Sequence, residues 1–225
     1  MKNGVTVSVL REKCYRCYRP KSSCMCPYVR PVETETKFVI LMHPKEFRKI
    51  KNGTGHLTHL SLPNSELFIG IDFTKHKQVN ALIDDSNNSC YLLYPSKKSI
   101  LLNDNEISED GKNSVIFILD ATWDCSRKML RLSKNLQALE HISFRHTKRS
   151  QYEIKKQPQD HCLSTIESTL CVLELLNARK SEVIAPEKLE TFLHPFKMMI
   201  AYQKGRIDKT GSSYENCVRF KKHYH

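Results

Sequence analysis

Five short apolar runs set apart by amphipathic stretches constrain this chain more than anything else in it. TKFVILM (36–42), ELFIG (66–70), CYLLY (90–94), SVIFIL (114–119) and, more weakly, ALEHISF (138–144) are rich in β-branched and aromatic residues and are bounded by polar ones. Runs of that length that are apolar at consecutive positions read as strands buried on both faces. Between and after them lie helical patterns at 75–85 (KHKQVNALIDD) and 123–136 (WDCSRKMLRLSKNL), and apolar spacings of three and four at 163–178. A last helical pattern covers 186–206, where Pro195 removes a backbone donor and is expected to kink or divide the helix. Strands that alternate with helices point to an α/β fold with a largely parallel sheet and flanking helices.

The N-terminal segment has a different texture. Cys14, Cys17, Cys24 and Cys26 follow the spacing C-x2-C-x6-C-x-C within a compact basic stretch. A C-x2-C knuckle sets two thiolates on one side of an ion, and a second close pair completes a tetrahedron, the arrangement of a structural zinc site. Pro20 and Pro27 stiffen the approaches. The other five cysteines are scattered and read as small buried hydrophobes.

Lys and Arg total 36 against 24 acids, for a formal charge of +12 and a pI near 9.3. Such a balance favours a polyanionic partner, nucleic acid before membrane. Basic residues cluster at 11–30, 127–156 and 204–225, while 103–113 is an acidic, turn-rich loop. No run reaches the ~18 apolar residues that span a bilayer, and the N-terminus lacks the apolar segment of a secretory signal. A cytoplasmic location is therefore expected, where cysteines stay reduced.

The chemistry concentrates at strand ends. SVIFIL runs into Asp120, Ala121, Thr122 and Trp123, the only tryptophan. Ligands of α/β sheets bind at the carboxyl ends of strands, so Asp120 is a site candidate. The plainer alternative is that Asp120 or Thr122 caps the helix that follows. HPKEFRKIKNGTGHL (43–57) follows another strand directly. QYEIKKQPQDHCLSTIES (151–168) ends in a Ser164–Glu167 capping box, which helix initiation alone would explain. His43 and His161 are residues able to transfer protons or bind metal, although lone histidines are more often structural.

The cysteine segment CYRCYRPKSSCMC, the HPKE segment, DATW, and the Tyr-x-x-Lys-Lys-x-Pro…Ser-Thr-x-Glu stretch occur in the order found in DTW-domain proteins, which this sequence resembles over roughly residues 14–178. The resemblance implies a tRNA-uridine aminocarboxypropyltransferase that moves the 3-amino-3-carboxypropyl group of S-adenosylmethionine to a uridine, forming acp3U and releasing methylthioadenosine. It also implies a SPOUT-like fold, possibly a knotted one. The division it suggests is 1–31 as a zinc-binding segment, 32–180 as the catalytic DTW domain and 181–225 as a helical, basic extension packed on it.

By the same resemblance Asp120, Thr122 and Trp123 are the catalytic candidates, with Asp120 as base or as holder of the cofactor's amine. His43, Glu46, Asn52, Thr54, Leu119, Asp120, Ser164, Thr165 and Glu167 are the cofactor candidates. Arg16, Arg19, Lys128, Lys148, Arg149, Tyr152, Lys155 and Lys156 are the RNA candidates. Ala121 stands where the family commonly has glycine, and Lys155 where arginine is usual. Two other readings compete: a SPOUT-type RNA methyltransferase using the same cofactor, and a non-enzymatic zinc-containing RNA-binding protein. Oligomeric state is open, with a monomer as the default.

Overall fold

The structure, a computed structural model, describes residues 12–48, 53–107, 111–147, 150–151 and 162–210. Six strands form one sheet: β1 (Lys37–Met42), β2 (Ser65–Ile69), β3 (Asn88–Leu93), β4 (Ile100–Leu101), β5 (Asn113–Asp120) and β6 (Glu140–Ser143). Their order is β2-β1-β5-β3-β6-β4, and every pairing is parallel. Among the described residues eight α-helices accompany them: α1 (Pro44–Arg48), α2 (Gly55–Ser61), α3 (Lys77–Asp84), α4 (Trp123–Leu132), α5 (Lys134–Gln137), α6 (Thr165–Ala178), α7 (Pro186–Thr191) and α8 (His194–Thr210).

The five apolar runs are strands, and the α/β reading holds. β1 and β5 are central, which explains why their residues are apolar without alternation: both faces are covered. Phe38, Ile116 and Ile118 face a core built with Leu57 of α2, Leu170 and Leu173 of α6 and Phe196 of α8. Val39, Leu41, Val115 and Phe117 face a second core with Val79 of α3, Met129 of α4 and Leu136 of α5. The sheet is thus the middle of three layers. Met25 and Val32 join the first core, so the cysteine-rich segment is packed into the molecule.

Three details differ from the sequence reading. The pattern at 123–136 is two helices, because Ser133 turns out of helical geometry and its buried hydroxyl accepts a hydrogen bond from the Phe73 amide at 3.0 Å. Residues 43–57, for which the sequence reading named no element, carry α1 and the start of α2 in their described parts. The two-residue strand β4 at the sheet edge has too short a pattern to read. Pro195 divides the last helical pattern as expected, occupying the first turn of α8, where a missing N–H costs nothing.

Candidate functional site

β5 delivers its last residue, Asp120, in register with Met42 of β1, and the Asp120 carbonyl accepts from the His43 amide at 3.0 Å. The chain then turns into α4, whose N-cap is Thr122, with extended backbone and no bond from its side chain. Capping therefore explains neither the Thr122 hydroxyl, which is exposed, nor Asp120, whose side chain points elsewhere. The Asp120 carboxylate is 6% exposed, and its Oδ1 accepts the Thr165 hydroxyl at 2.5 Å. Its Oδ2 lies against the start of α2, where a Cβ on Gly55 would come within 2.3 Å of it. Two helix starts thus close on one carboxylate, and glycine is required at Gly55 for the approach.

Beside it, at the carboxyl ends of β3, β5 and β6, lies a cleft of about 730 Å³. Leu119, Ala121 and Trp123 form one wall, Tyr94 and Phe144 another, and Thr165 and Ser168 of α6 a third. Volume and lining, largely apolar with a few polar groups, suit a nucleoside-sized ligand. Trp123 is 43% exposed and meets the Tyr94 ring edge-on at 6.3 Å, leaving a flat aromatic surface at the mouth.

The sequence-predicted residues divide around this cleft. Leu119, Trp123 and Thr165 line it, and Asp120 stands behind Thr165 rather than on the surface. Ser164 is the N-cap of α6. Glu167 is turned inward and 5% exposed, accepting from the Ser164 amide at 2.8 Å, the Ser150 hydroxyl at 2.9 Å and the Gln151 amide at 2.7 Å. Its oxygens thus gather protein donors at the α6 start. His43, Glu46 and Thr54 are buried on the β1 side of Asp120 and do not line the cleft; the His43 Nδ1 accepts from the Lys45 amide at 3.1 Å.

Arg16 and Lys128 are exposed, as an RNA contact requires. Arg19 is not: it is 1% exposed and faces the interior, which corrects its placement on the RNA surface. Its guanidinium is drawn inward by the carbonyl of Gly53 and the sulfur of Met199, at 3.0 and 3.2 Å. Asn52, Lys148, Arg149, Tyr152, Lys155, Lys156 and His161 lie outside the described residues. Tyr94, Phe144, Arg127 and His146 line the cleft without having been singled out. Tyr94 and Phe144 end two of the apolar runs, so the strand-end argument that found Asp120 reaches them too.

The four cysteines converge. All their Sγ atoms lie within 4.8 Å of one another, with Cys14–Cys26 and Cys17–Cys24 each at 3.7 Å. Zn–S bonds of 2.3 Å at tetrahedral angles require sulfurs about 3.8 Å apart, so the donor set fits that ion. The knuckle is closed by the Tyr18 amide on the Cys14 carbonyl at 2.8 Å, with Tyr18 in the left-handed region at φ 58°. Backbone N–H groups of Cys17 and Arg16 hold the Cys14 thiol down at about 6, whereas burial pushes Cys24 and Cys26 up. A cation placed among the four sulfurs would favour their thiolate forms.

Residues 11–204 match the DTW domain, a span that contains the cysteine cluster, the whole sheet and the cleft. The chain belongs to the DTW-domain family. This DTW-domain protein is 28% identical over 197 residues to tRNA-uridine aminocarboxypropyltransferase 2 of Mus musculus, and 27% identical to that of Macaca fascicularis. It is 28% identical over 200 residues to the Drosophila melanogaster protein of the same name. Each alignment covers 86% of this chain, but only 64% of the mouse and macaque proteins and 75% of the fly protein. No solved structure matches the chain significantly. The family expected from four separated motifs is thus the family found.

Proposed function

We propose that this DTW-domain protein transfers the 3-amino-3-carboxypropyl group of S-adenosylmethionine to a uridine of tRNA and releases methylthioadenosine. The observation that carries the reading is the buried Asp120 carboxylate bonded to Thr165 in the wall of an aromatic-mouthed cleft at the strand ends, in a chain whose relatives bear the matching name.

The sulfonium already activates the carbon under attack, so the protein's task is to present that carbon, and not the methyl, to a uridine ring nitrogen. The nitrogen's electron pair forms the new C–N bond while the C–S bond breaks, its electrons returning to sulfur as a neutral thioether. The imide proton must leave. Asp120 is the acceptor in this scheme, and since Thr165 lies between it and the cleft, the Thr165 hydroxyl passes the proton on. Trp123, beside Thr122, offers its face to the sulfonium or the base. Ser164 and Thr165, at the N-terminus of α6, suit the cofactor's carboxylate. His43, Glu46, Asn52 and Thr54 would shape the floor around Asp120.

Arg16, Lys128, Lys148, Arg149, Tyr152, Lys155 and Lys156 would track the tRNA, with the uridine taken from a loop. Cys14, Cys17, Cys24 and Cys26 would hold zinc with no open position, a structural role. The 1–31, 32–180 and 181–225 division would then be one of role: clip, catalytic body and helical extension. A SPOUT-like, threaded ancestry and a cytoplasmic monomer belong to the same proposal. The ancestry is supported by the all-parallel sheet in which β5 returns between β1 and β3.

Mass spectrometry of tRNA nucleosides and of the spent cofactor tests the reading. Methylthioadenosine with acp-modified uridine is the expected pair. S-adenosylhomocysteine would establish the methyltransferase instead, and neither product would leave an RNA-binding protein. Asp120→Asn preserves an acceptor for the Thr165 hydroxyl but not a base, so kcat should fall by about 10²-fold or more with S-adenosylmethionine binding retained.

A further inference from the structure

We propose that Arg19 is a positioning residue that couples the cysteine cluster to the site: its guanidinium clamps the Gly53 carbonyl and so sets how Gly55 presses on Asp120. This rests on reading Asp120 as the site's carboxylate.

The path is short and continuous. Cys14 and Cys17 begin a turn in which Tyr18 takes a left-handed conformation that a tyrosine holds only when its surroundings impose it. There the Cys14 carbonyl accepts from the Tyr18 amide, and the Arg19 carbonyl accepts from the Cys14 amide at 2.7 Å. The turn lays the Tyr18 ring over Phe47 at 6.0 Å and His56 at 5.1 Å. It also sends Arg19 inward, to the Gly53 carbonyl and to Met199 of α8. Thr54, the next residue, is the N-cap of α2, and Gly55 after it is in contact with the Asp120 carboxylate.

A side chain that merely filled space here would be apolar, because burying a guanidinium is costly. Charge serving only solubility would stand outside, as Arg16 does. What arginine adds is a directed donor, and it is aimed at the backbone two residues before the one that abuts Asp120. The cysteine cluster thereby holds the β1 side of the site in place from a distance.

Hydrogen exchange by mass spectrometry on the full chain, loaded with zinc, tests the coupling. Arg19→Gln should keep its metal content while amides of 53–61 exchange about tenfold faster, the sheet remaining protected. Stripping zinc from the unaltered chain with a chelator should raise exchange in the same segment. Lys21→Gln, at an exposed position of the same turn, should change neither. Arg19→Lys, which keeps the charge and one donor for Gly53, should exchange more slowly than Arg19→Gln, and it stands in if the glutamine variant fails to fold. Unchanged exchange at 53–61 in Arg19→Gln or in the stripped protein overturns the proposal, as does equal exchange in the lysine and glutamine variants. In a transfer assay, Arg19→Gln should lower kcat and leave KM for tRNA unaltered. If no aminocarboxypropyl product forms with the unaltered protein, the functional reading fails while the exchange data still judge the clamp.

Discussion

Gly55 shows how little room surrounds Asp120. A methyl group there would sit 2.3 Å from Oδ2 and 2.8 Å from Cε of Met42. The carboxylate cannot simply swing away, since Oδ1 is tied to Thr165 at 2.5 Å. Gly55→Ala should therefore destabilise the fold by about 1–3 kcal/mol, as overpacking does, and displace Asp120 from Thr165. Chemical denaturation measures the first effect and the transfer rate the second.

His56, the next residue, is 4% exposed, and burial, then the nearby Arg19 charge, holds it down at about 4 from an ordinary 6.5. The folded chain thus keeps this ring neutral at pH values where the unfolded chain binds a proton. Its contribution to stability is whole above pH 6.5 and declines as the pH falls towards 4, by about 3 kcal/mol at most. Denaturant midpoints of the natural chain and His56→Phe, compared at pH 7 and about pH 4.5, check this: the natural chain should lose more. Parallel losses would refute it.

Among the elements, α6 does the most for the site. Its N-cap Ser164 and inward Glu167 form the capping box that the sequence announces, and Glu167 also gathers Ser150 and Gln151. Glu167→Ala removes an acceptor from several donors at once and should cost about 2 kcal/mol. It should also free 150–151, which limited proteolysis would detect as cleavage there. β1, β5 and α6 were legible because their burial is written in continuous or periodic apolar residues. The α2 helix was not. Besides Leu57 it buries Gly55, His56, Thr58 and Ser61, a mostly polar set that becomes a covered face because β1, β2 and α6 close over it. The break at Ser133 was equally hidden, since the Phe73 amide that holds it is 60 residues away in sequence.

At the scale of the molecule, under the proposed function a charge of +12 would meet a tRNA through screened phosphate contacts. Each contact contributes about −0.7 to −0.9 to the slope of log K against log salt. Lys128→Glu should therefore weaken tRNA binding and flatten that slope by about 1, whereas an unchanged slope would remove Lys128 from the interface. Among the described residues no helix is long and apolar enough to cross a membrane.

The sequence by itself determined the parallel α/β body, the division of the last helix at Pro195, the grouping of four cysteines and the place of Asp120 at a strand end. All of these follow from local rules: apolar periodicity, ligand spacing, and the missing donor of proline. Only the tertiary structure decided which way the polar side chains face. It turned Arg19 from the basic surface into the interior, set Asp120 behind Thr165 and enclosed Glu167 among protein donors. Each of those outcomes depends on what packs against the residue from elsewhere in the chain, and a charged side chain reads the same in sequence whether its partner is water, RNA or a carbonyl 34 residues away.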